Sequence, residues 1–333
     1  MAKKVTIYDI ADKLMLSPST VSRALADNSL INIKTRTRVK KAAKEMGYME
    51  NLRSADEADT VVMIVPGLDS YFYSRVIRAI QDRLGRQYLL SVMCSHNSVE
   101  IEKDIISRLN PSQVKCLIIS QSMDTTDSSH IEEAEKRGFH VILFNRVYHN
   151  GSCPKFFTDD YMDSYVLTNH LVSTGRKRIA FAAKHFNCPI YKNRVRAYKD
   201  VLKQNGLTFN PDHLIYSELT VKDTHEVISR FLNMSPRPDA IILPSFTSVL
   251  QATSLAKLNN LSVPQDIAIV CFDEDPECRY MNPSITSVEQ PAVEIGEEIA
   301  KTALSICNGT FTEKETIRIF SSNLIIRGSS FSC

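Results

Sequence analysis

The stretch Thr6 to Leu25, TIYDIADKLMLSPSTVSRAL, leaves the chain that carries it little freedom. Ile7, Ile10, Ala11 and Leu14 recur at i, i+3, i+4 and i+7, the period of one helix face, and Thr6 stands where an N-cap belongs. Ser17 caps a second helix, with Pro18 at the first helical position, where a missing N–H costs nothing. Met15 and Leu16 remain for the turn. Helices this short do not persist alone. Lys34 to Met46 supplies a third, with Val39, Ala42, Ala43 and Met46 on one face, Asn32 as its cap and Gly47 as its stop.

In the second helix Val21, Ala24 and Leu25 face inward, which turns Ser19, Thr20, Ser22 and Arg23 outward. Short hydroxyls and one guanidinium reach phosphate oxygens and base edges in a major groove. A surface helix in a small bundle has similar composition, but the ordered succession of cap, turn and charge favours a helix-turn-helix. Charge distribution agrees. Residues 1–54 hold eleven Lys and Arg against five Asp and Glu, whereas the remainder holds 29 against 33. A basic head on a mildly acidic body is the polarity expected when one end meets a polyanion.

Residues 5–48 resemble the DNA-binding headpiece of the LacI/GalR family of bacterial transcription regulators. The likeness runs through Val5-Thr6-Ile7-Tyr8-Asp9-Ile10-Ala11, Ser17-Pro18-Ser19-Thr20-Val21-Ser22-Arg23-Ala24-Leu25, Thr35-Arg36, Val39 and Gly47-Tyr48. The resemblance implies that Pro18, Ser19 and Arg23 read bases, and that Thr6, Tyr8, Thr20, Ser22 and Asn28 grip phosphates. Met15 departs from the pattern, since the family often has Gly in this turn; at positive φ a Met is strained where Gly is not.

Asn51 to Thr60, NLRSADEADT, reads as a hinge linker. Many family members carry a helix here whose Leu wedges into the minor groove and kinks the duplex. In this chain Glu50 replaces the usual Pro, Glu57 falls near the expected Leu, and the segment is short. Acidic side chains are repelled by phosphates, so either weak operator bending or a differently built hinge contact is expected.

From Thr60 onward, apolar runs alternate with helical patterns. Strands are expected at 60–65, 88–93, 116–120 and 140–144, with helices at 73–84, 99–109 and 129–137 between them. After Thr158 the pattern restarts, with strands at 178–183, 213–216, 240–243 and 267–272 and helices at 161–174, 193–205, 221–232, 248–258 and 292–307. Strict alternation means right-handed βαβ units around parallel sheets. Two such halves in succession resemble the two-lobed, periplasmic-binding-protein-like body of the same family. Supporting stretches are Asn145-Arg146, Asp159-Asp160-Tyr161, Gly175 to Ile179, Val263 to Ile267, Phe272-Asp273-Glu274, Pro283 to Val288 and Ile325-Ile326-Arg327.

The expected architecture is therefore an all-α helix-turn-helix headpiece (1–50), a hinge (51–60), and an α/β effector-binding and dimerisation domain of two Rossmann-like subdomains (60–333). Lobe 1 takes about 60–159 and 289–319, and lobe 2 about 160–288 and 320–333. By the likeness, the chain crosses between lobes near Asp159, Val288 and Ile319.

The resemblance puts an effector between the lobes, at the carboxyl ends of the strands, lined by Ser70, Tyr71, Phe72, Arg146, Asp160, Arg194, Phe246 and Asp273. Arg194 and Asp273 keep the family's residue types, able to chelate vicinal hydroxyls and to accept from them. Phe246 stands where many sugar-binding members have Asp; it can stack on a sugar ring but offers no acceptor. Sugar or sugar phosphate is the implied ligand. The alternative is a pocket closed by Phe246, in a regulator that answers to a partner protein.

An enzyme is disfavoured. The ten glycines form neither G-x-G-x-x-G nor a P-loop, and no G-x-S-x-G or H-E-x-x-H occurs. Eight cysteines show no C-x-x-C, and eight histidines show no metal-ligand spacing, with His96 and His130 expected on solvated loops. No cofactor and no metal are expected. No run reaches the ~18 apolar residues of a membrane span, so a cytoplasmic protein is expected. The implied mechanism is a homodimer, or a tetramer, holding two headpieces on a near-palindromic operator in double-stranded DNA. A small molecule biases it by ~1–3 kcal/mol of coupling. Repression of carbohydrate-related genes is the family expectation.

Overall fold

The computed structural model describes residues 5–25, 30–46, 48, 59–149, 151–184, 187–312 and 316–331. The chain divides into two compact units, Met1–Ala58 and Asp59–Cys333. The expectations for Asn28, Gly47, Glu50 and residues 51–58 lie outside the described residues.

In the first unit each helix begins where its cap dictates. Thr6 and Asp9 form a capping box on α1 (Ile7–Leu14), with Thr6 N donating to Asp9 Oδ2 at 2.6 Å and Asp9 N to Thr6 Oγ1 at 3.4 Å. On α2 (Pro18–Leu25), Thr20 N donates to Ser17 Oγ at 3.1 Å. On α3 (Ile33–Glu45), Lys34 N donates to Asn32 Oδ1 at 2.9 Å. Met15 does adopt the left-handed conformation, at φ 51°, and closes α1 by donating its N–H to the carbonyls of Ala11 and Asp12. Its side chain is 94% exposed, so the strain is that of the backbone alone, about 1–2 kcal/mol. Arg38 Nη2 donates to Leu14 O at 2.7 Å, so α3 satisfies a carbonyl that the end of α1 leaves open. Ile10, Ala11, Val21, Ala24, Val39, Ala43 and Tyr48 make the core.

The second unit contains two six-stranded sheets. The first comprises β1 (Asp59–Val65), β2 (Tyr88–Cys94), β3 (Val114–Ile119), β4 (Val141–Phe144), β5 (Lys155–Thr158) and β11 (Ile317–Phe320), ordered β11-β5-β4-β3-β1-β2 and parallel throughout. The second comprises β6 (Ile179–Ala183), β7 (Leu214–Tyr216), β8 (Ala240–Leu243), β9 (Ala268–Cys271), β10 (Thr286–Glu289) and β12 (Asn323–Ile325), ordered β12-β10-β9-β8-β6-β7. Only β12 runs antiparallel to its neighbour. Runs such as Val61-Val62-Met63-Ile64-Val65 are buried on both faces, as parallel strands under helices must be.

The helices of this unit are α4 (Tyr71–Leu84), α5 (Val99–Arg108), α6 (Ser129–Lys136), α7 (Asp160–Ser173), α8 (Pro189–Gln204), α9 (Val221–Leu232), α10 (Phe246–Leu258) and α11 (Ala292–Cys307). Among them, α11 crosses α4 so closely that a Cβ at Gly296 would fall 2.7 Å from Ala79 Cβ and 2.8 Å from the Val76 carbonyl. The chain passes from one sheet to the other between β5 and α7, between β10 and α11, and between β11 and β12. These passages are tied together. Gln290 Nε2 donates to Thr158 Oγ1 at 3.2 Å, Asp159 N to Phe320 O at 3.2 Å, and Ser322 Oγ to Asp163 Oδ2 at 2.9 Å.

Four expectations need correction. Asp59 belongs to β1 rather than to the hinge, and Thr60, where the expected hinge and first strand meet, lies in the strand. Strand–helix alternation breaks after β4, because β5 follows through a loop with no helix. Helix α8 opens at Pro189, four residues ahead of Asn193, because Pro fits the first helical turn. His130 is not on a loop: it lies in α6, buried, with Nε2 2.7 Å from Glu102 Oε1.

Candidate nucleic-acid interface and ligand cleft

The outward face of α2 is built by its own cap. Ser17 Oγ accepts from Thr20 N and lies 2.9 Å from Ser19 Oγ and 2.8 Å from Thr20 Oγ1, so one hydroxyl organises the first turn. Val21 and Ala24 are fully buried beneath it. Pro18, Ser19, Ser22 and Arg23 are exposed, and Thr20 is half-buried. Tyr8 is 68% exposed on α1, and Thr6 is exposed with its hydroxyl donating to Asp9. The face thus offers hydroxyls, a phenol and a guanidinium to a polyanion.

The cleft is assembled from segments that follow strands. Pro66 to Tyr73 come after β1, Asn145 and Arg146 after β4, Lys184 after β6, Pro244 to Thr247 after β8, Asp273 and Asp275 after β9, and Gln290 after β10. This is the carboxyl-end position that open α/β sheets use for ligands. Its cavity volume is about 250 Å³. Ser70, Tyr71, Phe72, Arg146, Arg194, Phe246 and Asp273 all line it. Phe246 is buried with the apolar residues of the second sheet and leaves the cavity open.

Asp160 does not line the cleft. It is buried at the start of α7, and its Oδ1 accepts from Arg194 Nε at 3.0 Å and lies 3.0 Å from Nη2. Its role is to fix Arg194, whose guanidinium carbon also sits 3.9 Å from the centre of the Phe272 ring. Burial works against the Arg194 charge, but Asp160, Tyr191, Asp163 and Asp273 together outweigh it and hold the guanidinium pKa above the ordinary value. Arg146 is braced from within its own lobe by Asn97, whose side-chain oxygen accepts from Nη1.

Sequence reasoning missed Lys184, Tyr191 and Asp275. Burial lowers the Lys184 pKa, helped by Arg146 and opposed by Asp273 and Asp69. Burial raises the Asp273 carboxyl, opposed by Arg194, Lys184 and Arg146. Asp275 is pushed up to about 6 by burial and by Asp273, Glu277 and Glu274. Cations and carboxylates therefore interleave around a space walled by Tyr71, Phe72, Tyr191 and Phe246. Such a lining can hydrogen-bond a polyhydroxylated ligand while its rings cover an apolar face. The signals for Lys184 and Tyr191 were their places just after a strand and at the opening of the next helix.

A helix-turn-helix unit and a two-lobed α/β body with a ligand-sized cleft are the parts from which DNA-binding transcription regulators are built. The first unit matches the family described as bacterial regulatory proteins, lacI family, over residues 6–51, and the body matches the periplasmic binding protein-like domain over 168–330. The HTH-type transcriptional repressor CytR of Escherichia coli K12 is 29% identical over 332 residues, 98% of this chain and 96% of that repressor. Catabolite control protein A of Priestia megaterium is 26% identical over 88% of this chain and 89% of its own. Two solved structures share the fold. The lac repressor dimer bound to operator and the anti-inducer ONPF superposes with TM-score 0.72 at 19% identity, covering 99% of this chain and all of that one. The transcriptional regulator CelR–cellobiose complex gives TM-score 0.72 at 22% identity over 98% and 99%. Over nearly its whole length the chain is therefore similar to transcription regulators of the lacI family, CytR among them. Among the described residues no helix is long and apolar enough to cross a membrane.

Proposed function

We propose that the protein is an operator-binding repressor whose hold on DNA is switched by a polyhydroxylated small molecule, a sugar or sugar phosphate, bound between its lobes. Pro18, Ser19 and Arg23 read base edges, while Thr6, Tyr8, Thr20 and Ser22 position the headpiece on phosphates. Asn28 joins the phosphate set by resemblance alone. Arg194 and Asp273 grip ligand hydroxyls, Arg146 and Lys184 supply positive charge, and Tyr71, Phe72 and Phe246 close over the ring. Asp160 acts through Arg194. The protein works as a homodimer in the cytoplasm on a near-palindromic operator, because two copies of a reading helix need two related half-sites.

The observation that carries the reading is the buried Asp160–Arg194 pair, which holds a guanidinium still at the cleft wall. The CelR structure holds cellobiose in the same fold, which supports the ligand class. Two experiments test it. Sequencing the genomic fragments retained by the protein should return a near-palindrome, and Arg23→Ala should cost about 1–3 kcal/mol of discrimination between that site and a scrambled duplex, with folding unchanged. Retained selectivity removes Arg23 from the reading face. Calorimetric titration with sugars and sugar phosphates should give a ligand whose binding Asp273→Asn weakens and whose addition shifts operator affinity. Binding indifferent to Asp273 places the ligand elsewhere.

A further inference from the structure

Away from the cleft, α6 and the loop joining β4 to β5 bring three side chains of different chemistry together: Glu135, His149 and Cys153. One donor atom from each lies within 4.8 Å of the other two, and His149 Nε2 is 3.6 Å from Glu135 Oε2. Ligands of a tetrahedral zinc ion stand about 3.4–3.6 Å apart, given bonds of ~2.0–2.3 Å, so small side-chain adjustments would close the set. His149 and Cys153 are 5% and 4% exposed, while the Glu135 side chain is 31% exposed and opens the group to solvent.

Two further observations point to a ligand. His149 Nε2 is buried with no hydrogen-bond partner, a condition buried polar atoms rarely keep. Beside that nitrogen stands Gly151, where a Cβ would fall 1.9 Å from Nε2. Any other residue would fill the space in which the nitrogen can accept a ligand. The backbone is held in place as well, since Tyr148 N and His149 N both donate to Gln121 Oε1, at 2.8 and 3.3 Å. Lys155 Nζ donates to Gly151 O, so a positive charge is already nearby. A divalent ion there must bind Cys153 as thiolate, releasing its proton to solvent, with Glu135 as carboxylate.

We propose that Glu135, His149 and Cys153 bind one borderline-soft divalent cation of the zinc class, with a fourth position left for water. The soft sulfur and the imidazole select against magnesium and calcium. Bound there, the ion ties α6 to the loop that begins at Asn145 and Arg146, so metal binding tightens one rim of the cleft. The site stands independently of which molecule the cleft takes.

The test uses the reduced, metal-stripped full-length protein titrated with Co²⁺. One equivalent per chain should bind with a thiolate-to-cobalt charge-transfer band and tetrahedral visible absorption, and Zn²⁺ should displace it. Cys153→Ser should abolish the band, while Cys94→Ser, which alters a half-buried thiol near His96, should keep it. Glu135→Gln, at a partly exposed position that folding tolerates, should weaken binding by at least ~10-fold. Zn²⁺ should raise the melting temperature of the parent protein and leave that of Cys153→Ser unchanged. Absence of the band, its survival in Cys153→Ser, its loss in Cys94→Ser, or affinity indifferent to Glu135→Gln would each overturn the site. A plain Glu135–imidazolium ion pair, the ordinary alternative, gives no thiolate band at all.

Discussion

The face of α2 and the cleft of the body are both polar surfaces resting on apolar cores, yet they are assembled in opposite ways. On α2, everything that matters is local: Ser17 bonds to Ser19 and Thr20, two and three residues away. In the cleft, Arg194 is held by Asp160 from another helix, and Arg146 by Asn97 from another loop. The α2 side chains are short and mostly exposed, whereas Arg194 and Asp160 are buried almost completely. A face that must meet varied base edges keeps its groups in water until the partner arrives. The cleft has its charges fixed in advance, which under the proposed sensing role avoids the cost of ordering them at the moment of binding.

Substitutions should therefore cost far more in the cleft than on the helix. The largest effect is expected from Arg194→Ala, which strands Asp160 as an unpaired buried carboxylate and should destabilise the body by ~3–5 kcal/mol in a denaturant titration. A loss below ~1 kcal/mol would mean that the pair is open to water and the contrast false. This also makes Asp273, rather than Arg194, the residue with which to probe ligand binding without damaging the fold.

Next comes Asp163, whose carboxyl is pushed up to about 7 by burial and by the neighbouring Asp160 and Asp159, against the pull of Arg194 and Ser322. Its folded pKa lies above its ordinary value near 4, so its contribution to stability is complete below pH ~4 and is lost as pH rises toward 7. Asp163→Asn cannot ionise and should be spared that loss, gaining ~2–4 kcal/mol over the parent between pH 4 and 8. Parallel pH–stability curves for the two proteins would rule the shift out.

On the helix the expected effects shrink. Ser17→Ala removes the cap of α2 and should lower the stability of the first unit by ~1 kcal/mol. Smallest is Met15→Gly, which relieves a left-handed Met and should stabilise by at most ~1 kcal/mol, since added chain entropy in the unfolded state offsets part of the gain. A destabilising result would show that the exposed Met side chain is held by something its surroundings do not reveal.

The same contrast explains what could be read from residue order. Caps and turns are sequence-local, so Thr6, Ser17 and Asn32 mark three helix starts, and Met15 stands in the turn where φ is 51°. Central strands announced themselves as β-branched runs. Strands β5, β10, β11 and β12 did not, because three or four residues such as Asn323–Ile325 gain their identity only from a distant neighbour. Family resemblance puts Asp160 among the cleft-lining positions, whereas its side chain pairs with Arg194 and lies outside the cleft lining. The Glu135–His149–Cys153 group is not legible in the sequence, because its glutamate comes from α6 while the other two lie on the loop between β4 and β5.

The three tied passages at Thr158–Asp160, Glu289–Ala292 and Phe320–Asn323 have a mechanical consequence. Most of each sheet's apolar interior is its own, but Met123, which follows β3 of the first sheet, is buried in an apolar cluster of the second. Rocking of the lobes about these slender straps must therefore repack that one thioether as well as strain polar bonds such as Gln290 to Thr158. Methionine suits such a seam, because its flexible chain fills a gap that changes shape.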